Sequence, residues 1–136
     1  MSSAAELRIY EEDLEELQQI LDRIVTGSQC RSALLISPED GSLLLARGLT
    51  GSLDTASLAT LAAAAFASTS EIARLIGESE FTMLFHQGRR DHIHISRAGE
   101  SAILMILFDD RTTVGMVRLY ARENAERIHR ILSKPA

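Results

Sequence analysis

Ala102-Ile103-Leu104-Met105-Ile106-Leu107-Phe108 is apolar at every position. A strand sends successive side chains to opposite faces of its sheet, so a run with no polar member must be covered on both faces. Such a strand belongs in the middle of a sheet that carries helices above and below. Ala98-Gly99-Glu100 makes the turn before it, Asp109-Asp110 closes it, and a strand is predicted over 101–108.

Upstream lie two strands of alternating character, predicted over 79–87 and 91–97 and joined at Gly88-Arg89-Arg90. In the first, Phe81, Met83 and Phe85 alternate with Thr82, Leu84 and His86; in the second, Ile93 and Ile95 recur at period two. A three-residue loop sets Phe85 opposite Ile93 and Met83 opposite Ile95, so that apolar faces match; a two-residue loop scrambles them. The three-residue register is therefore the expected one.

Further upstream, Leu34-Leu35-Ile36 and Leu43-Leu44-Leu45 flank Pro38-Glu39-Asp40-Gly41, a turn signal that predicts a hairpin with strands over 31–37 and 42–47. Helices are predicted on either side of these strands. The first, over 6–26, carries Leu14, Leu17, Leu21 and Ile24 at helical spacing, with an acidic opposite face (Glu11, Glu12, Asp13, Glu15, Glu16) and a stop at Gly27. The last, over 112–133, places Val114, Val117, Ala121, Ala125, Ile128 and Leu132 on its buried side. The order is αββαβββα, and one domain is expected over 1–136. The expected fold class is α/β: a three-layer sandwich with a five-stranded, mainly antiparallel sheet in the order 2-1-5-4-3 and helices on both faces.

The second helix, over 54–76, begins at Asp54 as N-cap and stops before Gly77. From Leu58 to Ala67 it holds no charge. A helix on one face of a sheet normally keeps a polar back. Leu58, Leu61, Ala62, Ala65, Ile72 and Ile76 are assigned to the core, which leaves Ala63, Ala64 and Ala67 for a second surface. The third strand lies at the sheet edge without a lysine or proline to block pairing. Both features point to a homodimer through this strand and the second helix, with Phe81, Met83, Phe85, Ala64 and Ser68 at the interface.

Composition narrows the function. The chain has 136 residues, 46% of them hydrophobic and 24% charged, with a formal charge of −5. That is globular composition. No concentrated basic face for nucleic acid is present, and no apolar run is expected to reach the roughly 20 residues of a membrane span. The polar, acidic start is unlike a secretory signal, and the lone Cys30 cannot form an internal disulfide, so a cytoplasmic location is expected. Phosphate-binding, dinucleotide, zinc-hydrolase and serine-hydrolase motifs are absent.

The strongest chemical constellation is His86, His92 and His94, which share one face in the expected register and would suit zinc or copper. Half-buried polar positions explain them as well, and no carboxylate visibly completes a site; Asp91 points to the other face. No metal or cofactor is assigned. Cys30 reads as a small buried hydrophobe opening a strand. Arg89-Arg90 reads as a solvated turn before an arginine finger acting in trans, and Arg47 has less to recommend it.

The element order, the alanine-rich helix from Leu53-Asp54-Thr55 to Ile76-Gly77-Glu78, the Phe81…Phe85-His86-Gln87-Gly88 segment, and Ala98-Gly99-Glu100…Leu107-Phe108-Asp109 together resemble the roadblock/dynein light-chain family. Within it they are most similar to the bacterial MglB-like branch, across Leu14–Leu132. The resemblance implies a homodimer with a sheet continuous across both copies. It also implies a non-catalytic regulator of a Ras-like small GTPase of MglA type, involved in cell polarity, that stimulates GTP hydrolysis by ordering the switch regions. The implied GTPase-binding residues are Thr60, Ala63, Ala64, Ala67 and Glu71, and the carboxylate of Glu71 departs from an otherwise small, uncharged stripe. Longer members carry a C-terminal extension linked to nucleotide exchange; the chain stops soon after the third helix, so exchange is not expected. A scaffold that tethers a complex without affecting GTP turnover, or a metal or small-molecule sensor using the histidines, are the alternatives.

Overall fold

A computed structural model describes residues 10–134. Its elements are α1 (Glu11–Ser28), β1 (Ser32–Ile36), β2 (Leu43–Gly48), α2 (Thr55–Leu75), β3 (Met83–Gln87), β4 (Asp91–Arg97), β5 (Ile103–Asp109) and α3 (Val114–Leu132). The strands form one sheet in the order β2-β1-β5-β4-β3, with every neighbouring pair antiparallel. The order and the three helices match the expectation. The portion of the first predicted helix at 6–9 lies outside the described residues.

Strand alternation divides the apolar run of β5 between two cores. Leu104, Ile106 and Phe108 face α1 and α3, where they join Leu17, Ile20, Leu21, Ile24, Val117, Ala121 and Ile128. Ile103 and Met105 face α2 and meet Leu34, Ile36, Ile95, Ala59, Ala62, Ala63 and Phe66. β1 is buried along its whole length as well, because it lies inside the sheet between β2 and β5.

The α1/α3 layer is tied together by polar contacts. Arg47 on β2 donates two hydrogen bonds to Asp22 on α1, at 2.9 and 3.0 Å. Asp13, expected on a solvated face, is buried and accepts from Lys134 Nζ at 2.9 Å. α1 runs one residue past Gly27, and Gln29 takes the left-handed conformation (φ 61°) that ends it. Gly27 serves a different purpose: a Cβ there would collide with the Tyr120 ring, so glycine lets α1 and α3 close on each other. Thr113 caps α3 by accepting from the Met116 N–H at 3.1 Å. Val114, expected in the core, is 37% exposed at the first turn.

Two expectations about β3 are corrected. The strand begins at Met83, so Phe81 precedes it. The hairpin register also differs: Phe85 pairs with His94, Leu84 with Ile95 and His86 with Ile93. Gly88, Arg89 and Arg90 still join the strands, but Gln87 pairs with His92 rather than with Asp91, an offset of one residue. At the turn the Gly88 N–H donates to His92 Nδ1 at 3.2 Å, and a Cβ on Gly88 would collide with the Asp91 carbonyl oxygen. The shift turns Leu84 toward the α2 core, while Phe85 stacks on Phe108 with ring centroids 6.1 Å apart. Matching apolar faces decides register only where one face of a sheet is wet; here both are covered, so either parity finds a core.

Candidate interaction surface

α2 begins with the Asp54 side chain accepting from the Ser57 N–H at 3.1 Å. Its first half is held against the sheet and against the β1–β2 turn, where the Thr60 hydroxyl donates to the Gly41 carbonyl at 3.3 Å. Ala59, Ala62, Ala63, Phe66 and Ala73 form its buried side. Ala63 therefore does not belong to the outward stripe where it was expected; it is 8% exposed and packs in the core. Conversely Leu61, Ile72 and Ile76, assigned to the core from spacing, are more than half exposed, as is Leu75. In a helix whose small side chains go all round, periodicity does not tell which alanines face inward.

The outward stripe consists of Thr60, Leu61, Ala64, Ala67, Ser68, Glu71, Ile72 and Leu75. Apolar side chains along this stripe stand in water, more than isolated surface hydrophobes require. Of the residues expected on the second surface, Thr60, Ala64, Ala67, Ser68 and Glu71 are exposed. Glu71 is ion-paired with Arg74 one turn on, which offsets its charge. By length and composition α2 would also suffice to cross a membrane, contrary to the sequence expectation; in this fold Ala59, Ala62, Ala63 and Phe66 lie on the sheet instead.

β3 borders this face as the last strand of the sheet. Among the described residues its outer backbone has no partner strand, and Phe85 is 37% exposed. Phe81 and Met83 are half-buried. An unprotected edge beside an apolar helix face is the arrangement by which sheets extend into another chain.

The three histidines do not converge. His92 and His94 share the α3 side, whereas His86, paired with Ile93, is exposed on the α2 side. No group of three His, Cys, Asp or Glu side chains suited to a metal occurs among the described residues. The expected grouping failed with the register. His92 Nδ1 accepts from Gly88, which leaves Nε2 to carry the proton and donate to Asp110 Oδ1 at 2.9 Å. The ring is thus a staple between the hairpin turn and the end of β5. Asp110 was read only as a strand terminator; nothing in its spacing signals this contact.

His94 is 1% exposed, and neither ring nitrogen has a hydrogen-bond partner among the described residues. Burial, and after it the nearby Arg118 guanidinium, pushes its pKa down from the ordinary 6.5 to about 4. The sulfur of Cys30 lies 3.7 Å from the Ser32 carbonyl oxygen, and burial raises the thiol pKa, so it is poorly placed to act as a nucleophile. Arg89 and Arg90 are exposed at the hairpin tip, and Arg47 is occupied by Asp22.

A roadblock fold is now recognisable from both directions. The Roadblock/LC7 domain model matches residues 16–108. The chain belongs to the Roadblock/LC7 family. Among solved roadblock structures, Myxococcus xanthus MglB is 32% identical, with 85% of this chain and 94% of that one covered and a TM-score of 0.81. The gliding protein MglB from Thermus thermophilus is 30% identical over 95% of this chain and 97% of its own, with a TM-score of 0.87. An MglB solved in a tetrameric arrangement is 32% identical, covering 93% of this chain and 94% of that one, again with a TM-score of 0.87. No curated protein matches.

Proposed function

We propose that the protein is a cytoplasmic homodimer that binds a Ras-like small GTPase of MglA type and stimulates its GTP hydrolysis without itself being an enzyme. The carrying observation is the outward stripe of α2, where Leu61, Ala64, Ala67 and Ser68 are exposed beside the open edge of β3. Two-fold pairing of β3 with its copy would bring the two α2 helices side by side, and the small residues would let another backbone come close. In this arrangement Ala64 and Ser68 sit near the two-fold axis, while Thr60, Ala67 and Glu71 remain for the GTPase. The dimer contact on β3 belongs to Met83 and Phe85, with Phe81 just before the strand. The 30–32% identity to MglB over most of the chain supports the choice of client.

The test is GTP hydrolysis by the host's MglA-type GTPase with and without this protein. Hydrolysis should rise on addition, and Ala67→Arg should abolish both the rise and nucleotide-dependent binding while light scattering still reports a dimer. Equal binding to the GDP and GTP forms with unchanged turnover would replace this reading with that of a tethering scaffold.

A further inference from the structure

On the side of the sheet opposite α2, β3, β4 and α3 enclose a cleft of about 410 Å³. Its walls are Thr82 and Met83 from β3 and the residue before it, His94, Ser96 and Arg97 from β4, and Arg118, Ala121, Arg122 and Ala125 from α3. We propose that this cleft binds a small organic phosphate monoester, with the phosphate held by Arg118 and Arg122 above His94 and the organic part against Met83, Ala121 and Ala125.

The reason is an excess of donors. The chain as a whole is acidic, yet no carboxylate lines the cleft. Arg118 and Arg122 form no salt bridge among the described residues. Arg97 is engaged elsewhere, lying 5.3 Å above the Phe66 ring and 3.7 Å from Glu80. The His94 ring is sealed from water with neither nitrogen satisfied, an arrangement that native interiors rarely leave without a partner. An acceptor of negative charge is the group that two unpaired guanidinium forks four residues apart on one helix face would hold best. It would complete the arginine forks and offset the Arg118 field, which adds to burial in keeping the His94 ring beneath neutral. The volume exceeds what inorganic phosphate fills and lies in the range of small-molecule pockets. The apolar half of the lining suits an organic body.

This inference does not rest on the GTPase reading. Edge pairing of β3 runs in the plane of the sheet, whereas the cleft opens on its face. Phenyl phosphate titrated into the intact protein, followed by calorimetry and by the His94 ring resonances, tests it. Saturable binding is expected, about tenfold tighter than inorganic phosphate, with none for phenol. The exposed pair Arg118→Gln/Arg122→Gln should weaken binding at least about tenfold while circular dichroism stays unchanged. No saturable binding, equal affinity for inorganic phosphate, or indifference to the arginine pair would each overturn the proposal.

Discussion

The two faces of the sheet are covered in opposite ways. On one, α1 and α3 bring branched aliphatic side chains, with Leu17, Ile20, Leu21, Ile24 and Ile128 all inaccessible to water. Ion pairs from Asp22 and Asp13 lace this side to β2 and to the C-terminal end of the described chain. On the other face a single helix brings four alanines and one phenylalanine, and leaves leucine and isoleucine exposed on its back. Burial of large side chains stabilises far more than burial of alanine. The first face therefore holds the fold together, and the second trades packing for a surface that another chain can approach. An unprotected edge strand sits on the border of the two.

Variants can break or sharpen this contrast. Ile20→Ala removes a fully buried side chain from the α1 layer and should cost about 2–5 kcal/mol in urea unfolding; a cost below about 1 kcal/mol would mean that this face is not the seat of stability. A smaller effect is expected from acid. His94 has a folded pKa of about 4, below its ordinary 6.5, so the unfolded chain takes up the proton first. The stability this ring contributes is present at neutral pH and is lost as pH falls from about 6.5 toward 4. Between pH 7 and pH 4.5 the loss attributable to it is about 2 kcal/mol, and His94→Phe should remove that part of the pH dependence. An unchanged pH slope in the variant would show that the ring is not buried as described. The smallest effect belongs to the outer side of α2. Glu71→Gln breaks an exposed pair with Arg74 and should change unfolding by less than about 0.5 kcal/mol. A larger loss would contradict a helix back that contributes little to the fold.

Much of the architecture was legible in the residues. The Asp54 cap, the Pro38–Gly41 turn and the element order all followed from local chemistry. The candidate surface was legible only in part. The sequence pointed to α2 and the third strand, and Ala64, Ala67 and Ser68 are exposed, but Ala63 turned inward while Leu61 and Ile72 turned outward. Alanine carries too little apolar area for its position alone to reveal which way it faces. The histidine grouping depended on a hairpin register that both covered faces left open. Asp110 and Arg118, which set the surroundings of His92 and His94, lie beyond the reach of any local pattern because they come from the end of β5 and from α3.

Ala102–Phe108 marks the boundary between the two kinds of information. Seven apolar side chains in succession require cover on both faces wherever the strand is placed, so the sequence by itself determined a central β5, helices on each side, and hence the order 2-1-5-4-3. Only the tertiary structure decided which alanines of α2 meet the sheet, where Phe85 points, and that His94 lies buried without a partner beneath a cleft flanked by arginines. Those outcomes depend on distances between elements far apart in the chain, and a residue's own neighbours in sequence do not encode them.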